Sequence, residues 1–196
     1  MKLVKHRHFK INKPFGYLSQ LVTNDVKPHK KKLLSELYSF PEGTMVIGRL
    51  DEKSEGLLLL TSDGKLSDTI NSSAIEKEYY VQLDGEITSE AMEAMENGVE
   101  IGFSGIRYTT KPATVRRIPL PDFPNRTKKI RDDRHGPTCW ISICVTEGKF
   151  RQLRKMTAAV GFPTLRLVRV RIGTIFLDDL NHGAVSEINE INPNSL

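Results

Sequence analysis

Gly48 to Gly64 reads GRLDEKSEGLLLLTSDG. The run Met45-Val46-Ile47 ahead of it is β-like, and Leu57 to Leu60 within it is an unbroken apolar run of the kind that buried strands show. Between them lie Arg49-Leu50-Asp51 and the polar segment Glu52 to Glu55. One carboxylate, Asp51, is therefore expected in a loop held between two core strands. Strands fix a position and a loop gives access, which is why catalytic side chains collect on such loops. An Asp in a strand-to-strand loop is more commonly a turn former or a surface charge, so its role depends on the rest of the chain.

Working outward, Phe9-Lys10-Ile11-Asn12 alternates as a strand, and Lys13-Pro14-Phe15-Gly16 is a turn. Lys32 to Tyr38 has helical spacing, with Leu33, Leu34 and Leu37 on one side. Ser62-Asp63-Gly64 opens a helix with Leu66 and Ile70 on its apolar face. Tyr79 to Leu83 alternates as a strand, and Thr88 to Met95 is a helix with a capping Thr at its start. Pro119 to Pro137, with Pro121 and Pro124 inside it, reads as a long surface loop. Cys139 to Val145 alternates strongly and predicts a strand. Phe150 to Val160 is a helix with Leu153, Met156 and Val160 inward and Arg151 and Lys155 outward. Leu165 to Ile172 and Ile175 to Leu177 are strands, and INPNSL at the end is a fraying tail. Strands and short helices are interleaved without strict βαβ spacing, which points to an α+β fold with a largely antiparallel sheet. There is no Walker A loop, dinucleotide fingerprint or heptad repeat.

The chain has 196 residues, 38% of them apolar and 27% charged, as in a globular protein. No apolar run approaches the roughly 20 residues needed to cross a bilayer. No apolar segment follows the basic N-terminus, so no secretory signal is expected and the cytoplasm is the expected compartment. Cys139 and Cys144 would point to opposite faces of a strand, and the five histidines share no ligand spacing with them. No metal site is expected. The net charge is +5, but the charges are segregated. Residues 149–171 carry seven Lys/Arg and no acid, while residues 84–100 carry six acids and no base. The basic N-terminal stretch up to residue 32 has one acid, Asp25. Such segregation predicts a basic face for a polyanion.

The motifs then occur in order: Asn12-Lys13-Pro14-Phe15-Gly16, GRLD with SEGLLLLTSDG, Lys77-Glu78-Tyr79, Glu147-Gly148-Lys149 leading into Arg151-Gln152-Leu153-Arg154-Lys155-Met156, then Leu167-Val168-Arg169 and Ile172-Gly173. The set resembles the RsuA-type ribosomal RNA pseudouridine synthases over roughly residues 9–183. The start of the chain, close to the first motif, is similar to the RluE-like short branch, without an N-terminal S4-like RNA-binding domain. That resemblance implies a single catalytic domain over 1–196, with a mixed, mainly antiparallel sheet in two subdomains flanking a central catalytic cleft. It implies isomerisation of a specific uridine to pseudouridine in rRNA, of the large subunit by preference, without cofactor or metal; a monomer is the default expectation, since nothing in the sequence suggests a dimer seam. Asp51 falls on the catalytic Asp, Tyr79 on the aromatic that stacks on the target base, Arg154 on the basic partner of the carboxylate and Leu153 on an apolar pocket position. Phe150 stands where the family usually has Asn.

The chemistry suits these residue types. The reaction breaks the N1–C1′ bond of uridine and joins C5 to C1′, with nothing oxidised or hydrolysed. One carboxylate can serve it as nucleophile or by removing a sugar proton. Arg154 offers a planar fork to that carboxylate. Flipping the uridine out of RNA costs a few kcal/mol, which stacking on Tyr79 offsets in part. Tyr79 and Tyr80 point to opposite strand faces, and Lys77 shares the face of Tyr79. Arg49 is expected to contact phosphate or help extrude the base. Lys149, Arg151, Lys155 and Arg169 are expected at the RNA backbone, with Arg166, Arg171, Arg126, Lys128, Lys129, Arg131 and Arg134 as further contacts. The competing readings are a catalytically silent RNA-binding or assembly factor and a synthase acting on tRNA.

Overall fold

The computed structural model describes residues 6–23, 31–72, 75–103, 105–126, 128–131, 133–192 and 196. Asp25, and residues 193–195 of the segment expected to fray, lie outside them. The chain divides into two compact units, one of residues 1–75 and 169–196 and the other of residues 76–168.

In the first unit the central strand is β3 (Glu55–Thr61), and all seven of its residues are buried. A strand covered on both faces reads as an unbroken apolar run instead of alternating, which is what Leu57 to Leu60 does. One edge of β3 pairs antiparallel with β1 (His8–Lys13) from Lys13↔Gly56 to His8↔Thr61. The other edge is shared. β2 (Met45–Ile47) occupies it only opposite Leu59 to Thr61. Nearer the start of β3 it faces β9 (Thr164–Ile172), where Arg169 Nε donates to the Leu57 carbonyl at 2.7 Å. Because β2 stops at Ile47↔Leu59, the chain between β2 and β3 must leave the sheet, and that departure makes the Asp51 loop. β10 (Ile175–Phe176) pairs back on β9, and β11 (Val185–Ile188) covers the free edge of β1. Helix α1 (Gly64–Ser72) starts where Asp63 Oδ1 accepts the Lys65 and Leu66 amides at 2.9 and 3.2 Å.

In the second unit, β4 (Lys77–Asp84) and β8 (Thr138–Val145) pair antiparallel from Lys77↔Val145 to Asp84↔Thr138. β7 (Thr114–Ile118) lies on the other edge of β8, and β9 neighbours β4. Helix α2 (Ser89–Asn97) is capped by Thr88, whose hydroxyl accepts from the Ala91 amide at 3.2 Å. β5 (Glu100–Phe103) and β6 (Ile106–Thr109) form a separate hairpin, and helix α3 (Gln152–Ala159) packs on β5. The architecture is a mixed α+β fold with a mainly antiparallel sheet, as the interleaved pattern predicts.

Three local expectations fail for physical reasons. The helix expected over Lys32 to Tyr38 is only a 3-10 turn, Leu34–Glu36. Leu33 is extended, its amide bonded to Glu36 Oε1 at 2.8 Å, and Tyr38 is drawn into a ring cluster with Phe9 and Phe40. The helix expected from Phe150 starts two residues later, because Arg151 is left-handed at φ 52°; Val160, expected inward, is the residue that ends it. The sequence reading had no β5, β6, β7 or β11, which are short and mostly exposed or half-buried, so no apolar alternation announces them.

Candidate active site

Asp51 stands half-buried on the loop between β2 and β3, flanked by exposed Arg49 and buried Leu50. The loop is tied at three points. Ser19 Oγ donates to the Leu50 carbonyl at 2.8 Å and accepts from the Leu50 amide at 3.0 Å. The Gly16 amide donates to the Glu52 carbonyl at 2.8 Å, and the Ser54 amide to the Asp51 carbonyl at 3.0 Å. Gly48 opens the loop at φ +67°, with Asn71 Oδ1 only 3.3 Å from where a Cβ would sit. A carboxylate on a backbone pinned this way is placed by the fold and not by its own flexibility.

A buried set of charges lies in the same unit. Lys13 is 0% exposed, and its Nζ donates to the carbonyls of Pro14 and Tyr17 at 3.0 and 2.8 Å. Burial pushes its ammonium down to about 7; attraction to Glu55 opposes this, Arg169 adds to it, and Asp51 and Glu52 pull the other way. Glu55 is itself buried, with His182 Nε2 3.6 Å from Oε2. Sequence reasoning missed Lys13, Glu55 and Ser19. Lys13 was visible only as part of the Asn12–Gly16 motif, and Ser19 carried no local signal.

Tyr79, Lys77, Leu153 and Arg154 belong to the second unit. Tyr79 is 9% exposed and sits opposite Ile143. The other face of β4 is already occupied: Tyr80 lies against Phe123 with ring centroids 6.0 Å apart, and Glu78 accepts from Ser142 Oγ at 2.6 Å and from Arg116 at 3.1 Å. Of the two tyrosines, Tyr80 is therefore committed to the 119–137 loop, and Tyr79 is on the face it shares with Lys77. On α3, Leu153 is buried and Arg154 is half-buried.

The segment leading into α3 is built around Glu147. Its carboxylate accepts from the Tyr108 hydroxyl at 2.5 Å, the Lys111 amide at 2.8 Å and Gln152 Nε2 at 2.6 Å. Gln152 Oε1 in turn accepts from the Lys149 amide at 3.0 Å. The bond to Glu147, then burial and its charge, raises the Tyr108 phenol above its usual value. Two members of the motif, Glu147 and Gln152, thus hold the others in place. Lys149 Nζ lies over the Tyr108 ring at 5.2 Å, Lys155 Nζ donates to the Gly102 carbonyl at 2.7 Å, and Arg151 is exposed.

Three cations expected at the RNA are engaged within the protein. Arg169 is in the core, bonded to Leu57. Arg166 is buried, donating to the Pro124 carbonyl at 3.0 Å beside the Phe123 ring. Arg131 pairs with Asp84 at 2.6 Å and bonds the carbonyls of His135 and Pro137. These three act as staples for loop and sheet. Lys128, Lys129 and Arg134 are exposed. Among the described residues, no group of three or more His, Cys, Asp or Glu side chains could hold a metal ion.

A mixed α+β fold with a mainly antiparallel sheet is the architecture on which the comparisons with known proteins converge. The chain belongs to the RNA pseudouridylate synthase family, whose model matches residues 7–159. It is 41% identical over 173 residues to a ribosomal large subunit pseudouridine synthase E of Xanthomonas axonopodis pv. citri, covering 87% of each chain. It is 37% identical over 190 residues to the protein of that name in Vibrio vulnificus, covering 96% of this chain and 77% of the other. Among solved structures it matches a pseudouridylate synthase at a TM-score of 0.73 and 26% identity, over 96% of this chain and 72% of that one.

Proposed function

We propose that this enzyme isomerises a specific uridine of large-subunit ribosomal RNA, with Asp51 as its catalytic carboxylate. The observation that carries the assignment is the Asp51 loop: a half-buried carboxylate on a backbone pinned by Ser19 and Gly16, inside the stretch matched by the family. The RNA class follows the two relatives named for the large ribosomal subunit. Asp51 attacks a carbon of the nucleotide and is later released, or removes a sugar proton and later returns it; in either route N1–C1′ breaks, the uracil turns, C5–C1′ forms, the C5 proton leaves and N1 takes up a proton. Tyr79 stacks on the extruded base, Leu153 keeps the pocket apolar and Arg154 holds the carboxylate ionised. Lys77 and exposed Arg49 contact the RNA, the latter aiding extrusion, with Lys149, Arg151 and Lys155 at the backbone. The protein works as a cytoplasmic monomer without a cofactor.

The test is pseudouridine mapping in total RNA from cells with and without the gene, alongside purified wild-type protein and Asp51→Asn on 23S-type rRNA. The expected result is loss of one pseudouridine in large-subunit rRNA and no product from the variant. Product at the wild-type rate from Asp51→Asn would overturn the role of Asp51. A lost site in tRNA would overturn the substrate, and no lost site anywhere would leave an RNA-binding factor.

A further inference from the structure

Phe150 is 66% exposed, the most exposed aromatic side chain among the described residues. A singly exposed apolar residue is ordinary; its setting is what marks this one. It stands between Lys149 and Arg151, directly ahead of the helix that carries Leu153 and Arg154. Lys155 Nζ lies 5.4 Å from its ring centroid. No acid occurs from residue 149 to 171. The other two exposed aromatics are different: Tyr38 is packed with Phe9 and Phe40, and Phe176 lies beside Arg171 on a strand.

The segment is also held rigidly. Glu147, with its three donors, fixes the approach, and the Lys149 amide is bonded to Gln152 Oε1. The left-handed turn at Arg151 then sets the chain into α3. An apolar ring on a fixed backbone loses little conformational freedom when it is covered. Cations on both sides suit phosphates, and a flat ring between them suits a base. That combination is how proteins hold unpaired nucleotides.

We propose that Phe150 is a second aromatic contact to the RNA, stacking on a base other than the uridine that is isomerised. The contact supplies affinity that depends on local RNA structure, because only an unstacked or terminal base can offer its face. The inference rests on the synthase reading, since it takes RNA as the ligand.

The experiment compares wild type, Phe150→Leu and Phe150→Trp for binding to naked large-subunit rRNA and to the assembled large subunit, across a salt series. Phe150→Leu keeps apolar bulk and removes the stacking face. Its melting temperature should match wild type, because the side chain is mostly in solvent. Loss of one base–aromatic stack raises Kd by roughly five- to a hundredfold. Phe150→Trp should bind at least as tightly as wild type. The dependence of log Kd on log salt should be unchanged in Phe150→Leu but shallower in Arg151→Ala, which removes a phosphate contact. Equal affinity of wild type and Phe150→Leu for naked rRNA would overturn the proposal. So would a loss seen only with the assembled subunit, which would assign Phe150 to a protein surface. Pseudouridine formation by wild type is scored separately. If it fails, the synthase reading fails; if it succeeds while Phe150→Leu binds normally, only the stacking inference does.

Discussion

Replacing Ser19 by alanine should loosen the Asp51 loop without touching it chemically. Ser19 Oγ is the common partner of the Leu50 carbonyl and amide, at 2.8 and 3.0 Å, and both bonds are buried. Alanine removes both and leaves a buried N–H and C=O beside a small void. Each orphaned group costs about 1–3 kcal/mol in the folded state. Partial relaxation, with Gly16 and Ser54 still holding the loop, places the expected loss near 2 kcal/mol. That is measurable in urea denaturation as a lower midpoint at unchanged slope. Asp51 is the next residue, so the activity loss should appear mainly in kcat. A misplacement near 1 Å costs on the order of a hundredfold, and ten- to a hundredfold is expected in single-turnover pseudouridine formation. Ser19→Thr, which keeps the hydroxyl, should recover most of both. If Ser19→Ala lost the stability but kept wild-type kcat, the claim that this anchor positions Asp51 would be wrong.

Further outcomes follow from other parts of the first unit. Lys13 titrates near 7 when folded against 10.5 ordinarily, so unfolding takes up a proton between those values. Stability therefore gains nothing from this group below pH 7 and rises from about pH 7 to about 10.5, at up to about 1.4 kcal/mol per pH unit. Urea titrations at pH 7 to 10 should show a shallower rise in Lys13→Met; equal slopes would refute the assignment. Leu58→Ala, on the fully buried β3, should cost about 2–5 kcal/mol in the same assay. Gly48→Ala meets both a positive φ of +67° and Asn71 Oδ1 at 3.3 Å, and should cost about 1–2 kcal/mol from the backbone alone. An additional Asn71→Ala should rescue little of that loss, and full rescue would show that crowding, not φ, sets the cost.

What the sequence revealed depended on how local the physics is. β3 and β8 are long and buried, so their apolar runs and alternation are readable without neighbours. β7 and β11 are edge strands whose order comes from pairing, with β8 and β1 respectively, and pairing leaves no mark on a short polar run. The Lys32 to Tyr38 segment has helical spacing, but the ring cluster of Phe9, Tyr38 and Phe40 overrides it. At the candidate site, the apolar runs around Asp51 placed it on a loop between two strands, and only the ordered set of motifs singled it out. Ser19 was not legible, being 31 residues from the Leu50 it holds. Lys13 was read as part of a turn, since Lys is almost never fully buried; its burial depends on carbonyls and charges that only the fold assembles. The burial of Arg166 and Arg169 was not legible either: a basic residue in sequence carries no label saying which side of the surface it occupies.

The turn at Arg151 sets two demands on one position. At φ 52° an ordinary side chain is strained, by about 1 kcal/mol or more relative to glycine. A chain under pressure for stability alone would drift there toward glycine or asparagine, and away from any β-branched residue. Arginine at that bend keeps the strain and the charge together. Arg151→Gly should therefore raise the melting temperature while weakening RNA binding, so that thermal selection and functional selection would move this site in opposite directions.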